Sequence, residues 1–66
     1  MLPLREIIVR AETTFSGQVV EAELEDERGL PTYEIKVLTR GGRVVKVRYD
    51  ALTGALLNSN DKDGRR

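Results

Sequence analysis

Residues 17–57 read GQVVEAELEDERGLPTYEIKVLTRGGRVVKVRYDALTGALL, stretches of alternating apolar and polar residues separated by glycine-bearing turns. A period of two is the signature of a strand with one buried face, and it leaves little room for other secondary structure. In the first stretch, residues 18–27, Val20, Ala22 and Leu24 form the expected inward set, with Val19, Glu21, Glu23 and Glu25 outward. In the second, residues 31–39, Tyr33, Ile35 and Val37 point inward and Thr32, Glu34, Lys36 and Leu38 outward. In the third, residues 43–50, the inward set is Val45, Val47 and Tyr49, and the outward set Val44, Lys46 and Arg48. A very short fourth strand is expected at 55–57. Connections this short force neighbouring strands to pair antiparallel, so the expected sheet order is 1-2-3-4. Arg40-Gly41-Gly42 is a hairpin turn signal. In Asp50-Ala51-Leu52-Thr53-Gly54 the aspartate can accept from backbone N–H groups ahead of it while Gly54 takes the positive φ that closes the turn.

Ahead of the strands, Leu4, Ile7, Ile8, Ala11 and Phe15 fall within roughly 100° on a helical wheel, the stripe of an amphipathic helix. Pro3 suits the first helical position and Ser16-Gly17 the stop, which places the helix at about 3–15. Glu6 and Arg10, spaced i, i+4 on the wet side, are set to pair. Val9 points away from the stripe, either as an ordinary exposed apolar residue or as part of a contact surface. The expected fold class is α+β: one N-terminal amphipathic helix packed on one face of a three- to four-stranded antiparallel meander. The domain is expected over 1–57. Residues 58–66, NSNDKDGRR, lack any apolar side chain and are expected to be a disordered tail.

Composition narrows the chemistry. With no cysteine and no histidine among 66 residues, disulfides, thiolate nucleophiles, imidazole bases and the usual zinc and haem ligand sets are excluded. The 11 basic and 11 acidic residues cancel, leaving no global field to gather nucleic acid or an anionic membrane. No apolar stretch approaches the roughly 18 residues of a membrane-spanning helix, and the N-terminus lacks a signal-peptide pattern. Since so small a domain has a narrow stability margin, a dimer that buried more surface would help it.

In order along the chain, Ala11, Gly17, Val19-Val20-Glu21 with Glu23-Leu24, Pro31 with Tyr33-Glu34 and Val37, then Gly42, Val45, Val47 and Asp50-Ala51-Leu52-Thr53-Gly54-Ala55-Leu56-Leu57 form a pattern that resembles the PepSY domain. That family is named for its occurrence in peptidase propeptides and a spore-germination protein. The resemblance covers about residues 4–57. It implies a non-catalytic bacterial module that is secreted, periplasmic or attached to the outer side of the membrane, and that restrains proteases or otherwise regulates events at the cell envelope.

The residues themselves offer little to an enzyme. Glu21, Glu23 and Glu25 share a strand face, and alternate residues lie about 6.8 Å apart, room enough for a water. A catalytic carboxylate, however, needs a pocket that perturbs it, and a sheet face open to water supplies none. Ser16 and Ser59 have no histidine to activate them, and Lys36 and Lys46 sit on the wet face. The segment Ser59-Asn60-Asp61-Lys62-Asp63-Gly64 echoes half of a calcium loop but lacks its leading aspartate and closing glutamate. Tyr33 and Tyr49 are in the inward register and read as core. Arg40, Arg43, Lys46 and Arg48 without exposed aromatics make a poor nucleic-acid surface. No catalytic residue, cofactor or metal site is therefore assigned.

What remains is the outer face, acidic on the first strand, mixed on the second and basic on the third, a gradient suited to cross-strand pairing. The candidate partner-binding residues are Val19, Leu38 and Val44, apolar among charges, with Glu21, Glu23, Lys46 and Arg48 around them, and Leu56 and Leu57 on the edge of strand 4. Two readings follow. One is an interaction module that binds a protease or another envelope protein through this face or an edge; the other is a self-assembling structural or sensory domain that forms a homodimer through strand 4.

Overall fold

A computed structural model describes residues 1–61. One helix, α1 (Leu4–Phe15), precedes four strands, β1 (Gly17–Glu27), β2 (Leu30–Thr39), β3 (Val44–Asp50) and β4 (Leu56–Asp61). They form one antiparallel sheet in the order β1-β2-β3-β4, and α1 lies over β1 and β2. The α+β meander expected from the periodicity is the fold.

The helix starts at Pro3, whose φ of −68° is already helical while its ψ of 146° is extended. It ends at Ser16, which takes the left-handed conformation (φ 52°) and donates its N–H to the Glu12 carbonyl. The next residue must be glycine for a steric reason: a Cβ on Gly17 would stand 2.4 Å from the Leu38 carbonyl oxygen and 2.9 Å from the Thr39 Cα. The helix thus leads directly into the sheet, with the chain turning back against β2.

Burial concentrates on the helix side. Ile7 and Ala11 of α1 pack with Tyr33, Ile35 and Val37 of β2, Val47 and Tyr49 of β3, and Ala51, and Leu2, Phe15, Val19, Ala22 and Val45 surround them. Each large apolar side chain buried there contributes about 1.5–3 kcal/mol of gross burial energy. The N-terminal strap is fastened to the same layer: Leu2 donates its N–H to the Ala51 carbonyl at 2.8 Å, and the Tyr33 hydroxyl donates to the Leu2 carbonyl at 2.8 Å. Arg10 bridges helix and turn, donating to the Gly54 carbonyl at 3.2 Å and pairing with Glu6 at 3.3 Å.

The β3–β4 turn closes as its sequence predicts. The Asp50 carboxylate accepts the Leu52 N–H at 2.8 Å, Gly54 donates to the Asp50 carbonyl at 2.7 Å, and Gly54 has a φ of 83°. A Cβ there would also collide with Arg10 and Leu2, each 2.7 Å away.

Three expectations need correction. A β-bulge separates Val19 from Glu21, so Val19 pairs with Val37, Glu21 pairs with Lys36, and Val20 is the extra residue. Val19 therefore packs against the core and leaves the outer face, while Val20 is 55% exposed. Leu24 keeps the inward register opposite Tyr33 yet remains 53% exposed, so it is not core. Finally, β4 is longer than expected: Asn58, Ser59, Asn60 and Asp61 pair with Arg48, Val47, Lys46 and Val45. An edge strand can be held by its backbone ladder alone, which polar side chains do not disturb. Of the expected disordered tail, residues 62–66 lie outside the described residues, as does the second half of the calcium-loop echo.

Candidate partner-binding face

The face opposite α1 is built from cross-strand rows. Gln18, Leu38 and Val44 make one; Glu21, Lys36, Lys46 and Asn60 the next; Glu23, Glu34, Arg48 and Asn58 the third; Glu25, Thr32 and Asp50 the last. The order follows from the alternation in β2 and β3, which sends Glu34, Lys36, Val44, Lys46 and Arg48 to the side that the helix does not cover.

The charge gradient resolves into specific pairs. Lys36 meets Glu21 at 3.3 Å, Lys46 meets Glu34 at 3.2 Å, and the Arg48 Nε lies 3.9 Å from the same Glu34 carboxylate. Such solvent-facing pairs contribute about 0–1 kcal/mol each, so they organise the surface more than they stabilise the fold. Glu23, Glu25 and Glu34 bring carboxylate oxygens within 4.8 Å of one another. Glu34 is already engaged by Lys46 and Arg48, and the group lies on an open surface without the enclosure that acid–base work requires.

Apolar groups sit at the two ends of this face. At one end Leu38 is 39% exposed beside half-buried Val44. At the other, a depression is lined by Leu30, Pro31, Thr32, Arg48, Asp50 and Leu57. Thr32 is buried at its floor and directs its hydroxyl to the Glu25 carbonyl at 3.4 Å. The structure thus brings together Glu21, Glu23, Leu38, Val44, Lys46 and Arg48 as one surface, with Leu57 at its margin. It removes Val19, and it places Leu56 opposite Tyr49 on the helix side, exposed at the β4 edge. Sequence reasoning missed Leu30 and Pro31 of the depression, as well as Val20. Two adjacent valines at Val19-Val20 were the available sign that one of them had to break phase.

The tyrosines are core residues, as their register indicates, but they differ. The Tyr33 hydroxyl is bonded, whereas the Tyr49 hydroxyl is buried with no hydrogen-bond partner. Burial raises the Tyr49 pKa above its ordinary 10.0, and the nearby Thr14 hydroxyl and Arg10 charge only partly offset this; the Thr14 contact falls short of hydrogen-bond geometry. Among the described residues no helix is long and apolar enough to cross a membrane.

A family model described as PepSY, peptidase propeptide and YPEB domain, matches residues 2–60. No curated protein and no solved structure matches the chain. The match begins at Leu2, which ties the N-terminal strap to Ala51 and Tyr33, and ends within β4, so it takes in the helix and all four strands. The chain belongs to the PepSY family.

Proposed function

We infer that this domain is a non-catalytic interaction module that binds a peptidase or another envelope protein, on the outer side of a bacterial membrane, through the sheet face opposite α1. The observation that carries this reading is the division of labour between faces. Every buried apolar residue lies on the helix side or in the Ala51 turn. The other side presents Leu38 and Val44, a charged centre of paired residues, and Leu57 with Leu30 around a depression. Apolar anchors among charges give a partner both contact area and orientation. The family's link to peptidase propeptides supplies the class of partner, and membership supports the extracytoplasmic location.

Retention from envelope extracts on immobilised domain tests this. The wild type should hold a peptidase or envelope protein that Lys46→Glu and Leu38→Lys lose, with circular dichroism unchanged. Equal retention by the variants, or nothing retained above bare resin, overturns the assignment to this face.

A further inference from the structure

We propose that the free edge of β4 is the homodimer contact of this domain, pairing antiparallel with β4 of a second copy. A four-stranded open sheet has two unpaired edges, and here they are unlike. The β1 edge is guarded. Its Val19 N–H is taken by the Glu12 carboxylate at 2.9 Å, a bulge interrupts its ladder at Val19 and Glu21, and Glu23 and Glu25 would face their own kind across any β1–β1 contact. The β4 edge also carries a bulge, at Leu57 between the Tyr49–Leu56 and Arg48–Asn58 pairs, but from Leu56 to Asn60 it has no acidic side chain. Leu56, Leu57, Asn58, Ser59 and Asn60 are all exposed and all uncharged.

The occupant that fits is a second copy. Asparagine and serine each donate and accept, so a strand of Asn58, Ser59 and Asn60 is complementary to itself, which a strand of glutamates is not. The register centred on Ser59 sets Asn58 opposite Asn60 of the other copy, both on the face away from the helix and with no like charges facing, while Leu56 and Leu57 flank the joint beyond the bulge. A formal net charge of zero removes long-range repulsion between copies. The alternative β1-to-β4 joint is head-to-tail and would not close, whereas β4 to β4 is a closed two-fold contact. Its axis runs normal to the sheet, so two four-stranded sheets become one of eight strands with both helices on the same side. Both partner-binding faces then lie side by side on the other.

Because the chain has no cysteine, single cysteines report the contact without background. Ser59→Cys should cross-link to a dimer on mild oxidation while Glu23→Cys stays monomeric. Wild-type sedimentation should rise with concentration toward twice the 7.4 kDa chain mass, and the double variant Leu57→Lys, Ser59→Lys should remain at the monomer mass with an unaltered circular dichroism spectrum. A wild type that stays monomeric at millimolar concentration, or equal cross-linking through Glu23→Cys, overturns the proposal. These readouts need no envelope partner, so their failure is separable from failure of the proposed binding function.

Discussion

The two faces of the sheet obey different rules. On the helix side, positions are fixed by volume: Ile7, Ala11, Ile35, Val37 and Val47 are fully enclosed, and Gly17 has no space for even a methyl group. On the other side, positions are fixed by charge pairing across strands, and apart from Thr32 the side chains of its rows stay in contact with water. A face held by packing is costly to alter, and one held by solvated ion pairs is not. The first can therefore build the fold while the second stays available to a partner.

Substitutions on the two sides should separate widely. The largest loss is expected for Ile35→Ala, which empties the centre of the core and should cost about 2–5 kcal/mol in urea unfolding. Gly17→Ala comes next, since its methyl would meet the Leu38 and Thr39 backbone; overpacking of this kind costs about 1–3 kcal/mol. On the outer face, Glu34→Gln removes the charge that Lys46 and Arg48 share and should cost only about 1 kcal/mol.

The smallest effect should have the opposite sign. Tyr49→Phe deletes a buried hydroxyl without a partner and should leave stability unchanged or raise it by up to about 1 kcal/mol at neutral pH. Its pH dependence sharpens the test. A raised tyrosine pKa means that the folded state keeps a proton the unfolded chain has released, so stability is intact below the ordinary value of 10.0 and falls as pH rises past it. Unfolding midpoints measured across that alkaline range should fall more steeply for the wild type than for Tyr49→Phe.

The sequence made some parts of this molecule legible and hid others, for identifiable reasons. In β2 and β3 the alternation is unbroken, and Tyr33, Ile35, Val37, Val47 and Tyr49 could be placed by counting in twos. In β1 the count slips at the bulge, because Val19 and Val20 are chemically the same and nothing local says which one turns inward. The answer lies in the approach of α1, whose Glu12 holds the Val19 N–H. The β4 strand was underestimated because residues 58–61 have no apolar pattern; their place is set by the β3 ladder beside them. Gly17 read as a helix stop, and its second role appears only when Leu38 is seen against it. The outer face was legible as a charge gradient, whereas its depression at Leu30, Pro31 and Leu57 needed the register of three strands.

The central claim is that the face opposite the helix is spare in folding. Its most direct test is the urea-unfolding free energy of the double variant Leu38→Thr, Val44→Thr, which removes the apolar residues of that face while keeping good strand formers. The account predicts a loss within about 1 kcal/mol, well short of Ile35→Ala. A loss as large as that of Ile35→Ala would mean that Leu38 and Val44 belong to the folding core, and would contradict the separation of the two faces.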